Sequence, residues 1–191
     1  MRIINFDGIR ASGKSSQLSL LVKFLLGKNL RNKLVHEKDY EPLRSLALYW
    51  SNNPKPFSHN VIKDFAKARA EIYRKEVSPI IKEIDYLIFD RYFYTSAVYQ
   101  QGILSMKEII DINLQQKIPI PDYSFIFVCQ PQTALERMQE RDSKIESLEE
   151  ITKKRELYID LTKQYPELYL IDTTKKTAEE IFREVRKKLN L

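Results

Sequence analysis

The stretch Gly8-Ile9-Arg10-Ala11-Ser12-Gly13-Lys14-Ser15 has residue types and spacing that could do chemistry. It fits G-x-x-x-x-G-K-[ST] throughout. The glycines let the backbone curl so that several N–H groups converge on phosphate oxygens. A helix starting at Lys14 aims its positive dipole end at the same anion. Lys14 supplies a charge to the terminal phosphates of a donor, and the Ser15 hydroxyl can ligate Mg2+. Ser16, in the first helical turn, is a weaker candidate for a phosphate contact. Gly8 to Ser16 is therefore the expected ATP-binding segment. Arg10 is out of character there, a bulky cation among small residues. The loop alone fits a GTPase, an ATP-driven motor or a nucleoside kinase.

A second group is Asp90-Arg91-Tyr92. Asp90 can hold Mg2+ through water or orient an acceptor phosphate. Arg91 can clamp phosphoryl oxygens through two parallel hydrogen bonds. Taken alone, an Asp-Arg pair is more often a surface ion pair closing a strand.

Strands and helices must position these groups. Short apolar runs, "RIINF", "KLVHE", "YLIFD", "YSFIFV" and "LYLID", read as strands buried on both faces. Helical patterns lie between them: Lys14 to Gly27, Pro42 to Trp50, His59 to Ile84, Thr95 to Gln101, Met106 to Lys117, Pro131 to Glu140, Ser147 to Gln164 and Thr177 to Leu189. The alternation predicts an α/β fold in three layers, a five-stranded parallel sheet with helices on both faces. In such folds ligands bind at the carboxyl ends of the strands, where Gly8 and Asp90 fall.

Composition narrows the class. The 191 residues suffice for one domain, and no repeat or linker divides residues 1–191. No apolar run reaches the roughly 18 residues of a membrane span. "MRIINFDG" reads as a strand rather than a signal segment. One cysteine, Cys129, and two histidines make an internal disulfide impossible and a structural zinc site unexpected. A cytoplasmic enzyme follows. The net charge of +6 is spread over helices and interleaved with acids, as in "KKTAEEIFREVRKK", so a polyanionic small substrate is favoured over nucleic acid.

The flanking sequence is more specific. "DRYFYTSAVYQQG" resembles the thymidylate kinase pattern of Asp-Arg-Tyr, a small hydroxyl residue, an aromatic and Gln. "FAKARAEIYRKEVSPIIKEIDYLIFDRY", "PDYSFIFVCQPQTALERMQERD" and "YLIDTTKKTAEEI" resemble the same family, so the likeness spans essentially the whole chain. It implies a P-loop kinase fold with a short lid at about residues 141–148. The implied reaction is phosphoryl transfer from ATP-Mg to a pyrimidine nucleoside monophosphate, dTMP first among them. It places Phe65, Arg69, Ser96 and Tyr99 at the acceptor with Asp90 and Arg91. At a spacing of four, Phe65 and Arg69 are neighbours on one helix face, suited to stacking on a pyrimidine and bonding its carbonyl edge. The resemblance also implies a homodimer packed through the helices near "FAKARAEIYRK" and after Asp-Arg-Tyr.

The chain departs from the family at several charged positions. The family's Arg-Glu-Pro-Gly-Gly-Thr-Pro is "HEKDYEP" here, so His36 replaces an acceptor-phosphate arginine and is expected at the acceptor together with Lys38, whose charge would compensate. Arg10 stands where the family commonly has Asp. The lid reads "RDSKIES", keeping Arg141 and placing Lys144 where a second arginine is usual. Arg155 matches another family arginine that could close over the donor. Arg10, Arg141 and Lys144 thus join Lys14 and Arg91 as expected catalytic cations. Arg10 would restore positive charge toward the acceptor, unless it faces solvent or pairs with Asp7 or Glu37. Two rival readings stand: a deoxynucleoside kinase with Glu37 as general base, and a degenerate nucleotide-binding regulator.

Overall fold

The structure, a computed structural model, describes residues 1–52, 57–141 and 145–191. Its five strands are β1 (Arg2–Gly8), β2 (Asn32–His36), β3 (Tyr86–Asp90), β4 (Tyr123–Val128) and β5 (Leu168–Asp172). They form one parallel sheet in the order β2-β3-β1-β4-β5. The helices are α1 (Lys14–Gly27), α2 (Leu43–Asn52), α3 (His59–Ile72), α4 (Phe93–Tyr99), α5 (Met106–Leu114), α6 (Pro131–Glu140), α7 (Leu148–Gln164) and α8 (Ala178–Leu189). No described helix is long and apolar enough to cross a membrane.

The period of two along each strand sorts side chains into two cores. Ile4, Phe6, Ile88, Phe125 and Phe127 face Leu18, Leu21 and Leu25 of α1 and Ile181, Val185 and Leu189 of α8. Ile3, Leu87, Phe89, Ile126 and Val128 face the opposite layer, which includes Phe65 of α3, Ala97 of α4, Ile109 of α5 and Tyr158 of α7. Both faces are covered, which is why the strands read as continuous apolar runs.

The chain fills the β2-β3 side of β1 first and then crosses to β4 and β5, so a crevice opens at the carboxyl end of β1. Register sets the neighbours there: His36 lies opposite Asp90, Asp90 opposite Phe6, and Gly8 opposite Phe127. Gly8 is required by that last pairing, because a Cβ on it would sit 2.0 Å from the Phe127 carbonyl oxygen.

Element boundaries differ from the sequence expectation where local chemistry intervenes. The single helix expected from His59 to Ile84 ends at Ile72, followed by a π-turn at Tyr73–Val77 and a 3-10 turn at Ser78–Ile80. Pro79 lacks the N–H and cannot continue the ladder. Helix α5 stops at Leu114, and Lys117, expected inside it, has a φ of 58°. Strand β2 ends at His36, and Glu37 opens a 3-10 turn instead of closing the strand. Helices α7 and α8 begin with reciprocal caps, Ser147 with Glu150 and Thr177 with Glu180.

Candidate active site

A cavity of about 860 Å3 opens at the carboxyl end of the sheet. The loop after β1 forms its floor. Gly13 precedes α1 with a φ of 82°, and Ala11 has a φ of 55°. Loop carbonyls are anchored from behind: Arg137 of α6 donates to the Ala11 carbonyl at 3.2 Å, and the Thr173 hydroxyl donates to that of Ser12 at 2.9 Å. The Ser12 hydroxyl donates to the Ile9 carbonyl at 2.9 Å. These bonds fix the carbonyls away from the cavity and leave N–H groups for an anion. Ser15 is exposed and lines the cavity.

Lys14 is buried and donates to Asp90 Oδ1, while Asp90 Oδ2 lies 2.7 Å from His36 Nδ1. Burial, with Arg91 nearby, lowers the Lys14 pKa, and Asp90 works against that fall. Burial also opposes ionisation of Asp90, yet Lys14 and His36 hold its carboxyl below the usual range. Asp90 is therefore ionised at neutral pH with both oxygens engaged. Arg91 follows with a φ of 69°, its backbone N–H bonded to the Phe6 carbonyl at 2.9 Å. Its guanidinium donates to the Gly8 carbonyl at 2.9 Å and lies 5.4 Å from the Tyr99 ring centroid.

The far wall is aromatic. Trp50, Phe57 and Phe65 line it, with ring centroids 5.1 Å and 6.1 Å apart along the row. Beside Phe65, Arg69 is buried and donates to both oxygens of Glu37, at 2.6 and 2.8 Å, and to Asn113 Oδ1. Burial pushes the Glu37 carboxyl up against the opposing pull of Arg69. Ser96 and Gln100 are buried at the same wall, and the Gln100 Oε1 has no hydrogen-bond partner among the described residues.

The thymidylate kinase family model matches residues 6–185. The chain belongs to the thymidylate kinase family. It is thus an enzyme of the nucleoside monophosphate kinase type. The thymidylate kinase of Thermosipho melanesiensis is 28% identical over 194 residues, covering 96% of this chain and 95% of its own. A probable thymidylate kinase of Methanocaldococcus jannaschii is 29% identical over 187 residues, covering 95% and 92%. The crystal structure of the thymidylate kinase of Ehrlichia chaffeensis superposes with a TM-score of 0.74 at 23% identity, over 100% of this chain and 98% of that one, which bears on the fold.

In this thymidylate kinase family member the cavity collects residues 9–15 with Lys38, Phe65, Arg69, Asp90, Arg91, Ser96, Tyr99 and Arg141. Three expected residues stand off it: Gly8, which ends β1, Ser16, which is exposed, and His36, whose ring is turned to Asp90. Glu37, the candidate general base, has both oxygens taken by Arg69. Arg10 lines the cavity and has no partner among the described residues; the carboxylates considered for it are engaged elsewhere, Asp7 with Asn5 and Thr95, Glu37 with Arg69. Arg155 is off the cavity, 3.7 Å from Asp172. Lys144 lies outside the described residues.

Sequence reasoning missed Asp7, Trp50, Arg137, Thr173 and Lys154 of this thymidylate kinase family site. The Arg137 and Thr173 bonds join elements far apart in sequence, so no local pattern announces them. Asp7 does carry a local signal, a carboxylate at the end of the β1 run directly before Gly8.

Proposed function

We propose that the chain transfers the γ-phosphoryl group of ATP to dTMP, giving ADP and dTDP. The observation that carries this reading is one cavity shared by a complete phosphate loop and an aromatic wall beside a buried, preorganised Arg69. The wall suits a planar base, and the Gln100 amide, with its unpaired oxygen, suits the donor-acceptor edge of a pyrimidine.

In this reading an oxygen of the acceptor phosphate attacks the γ-phosphorus and the bond to the bridging oxygen breaks. The acceptor is already largely ionised, so no strong base is needed. Lys14, Arg91 and Arg10 neutralise charge as it spreads over the phosphoryl oxygens. Lys14 must exchange Asp90 for phosphate, and His36 then keeps Asp90 in place. Lys38 and Arg141, both exposed at the cavity, offer further charge to the acceptor phosphate and the donor.

The residues fit Mg2+. The Ser15 hydroxyl faces the cavity, and Asp90 is ionised but engaged at both oxygens, so it would act through water. Among the described residues no group of three or more His, Cys, Asp or Glu converges. That suits a hard cation that keeps its waters and takes phosphate oxygens as ligands. When bound, Mg2+ would supply charge neutralisation on the phosphates.

The family relationship supports a cytoplasmic homodimer packed through α3 and α4. Of the seven residues of α4, Phe93, Tyr94, Ser96, Ala97 and Val98 are already buried inside one chain, so α3 has to supply more of that interface. The engaged oxygens of Glu37 argue against a base-catalysed nucleoside kinase, and the intact loop argues against a degenerate binder. A coupled assay with thymidine, dTMP, dUMP, dCMP and UMP tests the reading. Turnover highest with dTMP is expected; turnover with thymidine alone, or with none of them, overturns it.

A further inference from the structure

We propose that Lys154 of α7 is a catalytic cation of this site, an inference that rests on the kinase reading above. Lys154 lines the main cavity, whereas its neighbour Arg155 is turned to Asp172. Successive residues on a helix point about 100° apart, and of "KKR" Lys154 is the one that lines the main cavity. Lys153, off the main cavity, is exposed; it shares with Lys154 a smaller hollow beside α4.

The Lys154 ammonium is held at the cavity wall by two contacts. Its Nζ lies 2.9 Å from Glu146 Oε2, and the two side chains are 22% and 13% exposed. It also lies 4.9 Å from the Tyr99 ring centroid. Arg91 rests against the same ring, and its guanidinium donates to the Gly8 carbonyl at the base of the phosphate loop. Lys154 and Arg91, the cation that follows β3, therefore lie over one and the same aromatic ring. The Tyr99 hydroxyl is buried without a partner among the described residues, so the ring itself is what both cations use.

Glu146 brings one negative charge to the Lys154 ammonium, and an incoming polyphosphate brings several. Lys154 then exchanges Glu146 for phosphoryl oxygens. It keeps its proton throughout. The new bond joins the acceptor oxygen to the γ-phosphorus, the bond to the bridging oxygen breaks, and ADP leaves with that electron pair. Lys154 stabilises the oxygens between the two partners.

Steady-state kinetics of the full chain with ATP and dTMP test this. Lys154→Met should lower kcat by about a hundredfold while the KM for ATP moves less than about threefold. Lys154→Arg should recover most of the rate, and Lys153→Ala should match the unsubstituted chain. Full kcat in Lys154→Met, or a larger loss in Arg155→Ala, overturns the inference alone. If Lys154→Met does not fold, Glu146→Gln decides: freeing the ammonium should raise kcat/KM by about twofold or more, and an unchanged or lower value counts against it. An unsubstituted chain that transfers to no acceptor overturns the kinase reading and this inference with it.

Discussion

One guanidinium holds both oxygens of one carboxylate: Arg69 Nε and Nη2 reach Glu37 at 2.6 and 2.8 Å, and both side chains are buried. The pair ties the turn after β2 to α3 and stands beside Phe65 at the cavity wall. Removing one partner of such a pair leaves a buried charge uncompensated. Arg69→Ala should therefore cost about 3–5 kcal/mol of stability and weaken dTMP binding far more than ATP binding. Replacing both residues, Glu37→Leu with Arg69→Met, should recover most of the stability and none of the dTMP affinity. Urea unfolding and calorimetric titration of the two nucleotides measure both. Equal losses for ATP and dTMP would remove Arg69 from base recognition.

Arg10 leads to a different expectation because nothing among the described residues pairs with it. Its removal breaks no hydrogen bond or ion pair there, so unfolding curves of Arg10→Ala and Arg10→Asp should overlay that of the unsubstituted chain. Activity should not follow. Arg10→Asp, which restores the residue common in the family, should lower kcat/KM for dTMP by about a hundredfold. Arg10→Lys should fall between, since a point charge lacks the guanidinium fork. An aspartate variant as active as the original would mean that Arg10 serves no phosphoryl group.

Asp7 gives the pH dependence. It is buried in β1, accepts from Asn5 Nδ2 at 2.7 Å and from the Thr95 hydroxyl, and its pKa is raised by burial above the ordinary 3.8. Between that ordinary value and the raised one the folded chain holds a proton that the unfolded chain has released. Folding stability from this group is therefore complete at low pH and falls as pH rises through that window. Asp7→Asn removes the effect. The stability of Asp7→Asn relative to the unsubstituted chain should climb from about pH 4 upward and then level off. Denaturant unfolding across pH checks this, and a constant difference would mean that Asp7 titrates normally.

The phosphate loop and the five strands were legible because their signals are local: a fixed spacing of glycines, and apolar runs of strand length. The parallel sheet followed from alternation, but its order did not, because order depends on which edges pair. What the sequence could not display was the pairing of charges. His36 stood in a position that suggested phosphate binding, and register placed it against Asp90 instead. Glu37 and Arg69 each carried a separate proposed role, and folding joined them. Lys154 and Arg155 differ by one position in the chain, and only the rotation of α7 decides which one meets the cavity.

Gly8 and Gly13 share a motif but answer to different constraints. At Gly13 a Cβ would meet nothing within 4 Å, and the obstacle is the backbone alone, at a φ of 82°. Gly13→Ala should cost roughly 1–2 kcal/mol. At Gly8 the φ is 142° and a Cβ would lie 2.0 Å from the Phe127 carbonyl oxygen and 2.8 Å from its backbone nitrogen. These are atoms of the neighbouring strand, so relief requires β1 and β4 to separate where the loop begins. That strain also reaches Arg91, which donates to the Gly8 carbonyl. Gly8→Ala should thus lose at least about 2 kcal/mol more than Gly13→Ala, and kcat should fall with it. Thermal unfolding of the two variants side by side measures the difference, and equal midpoints would mean that β4 yields at Phe127.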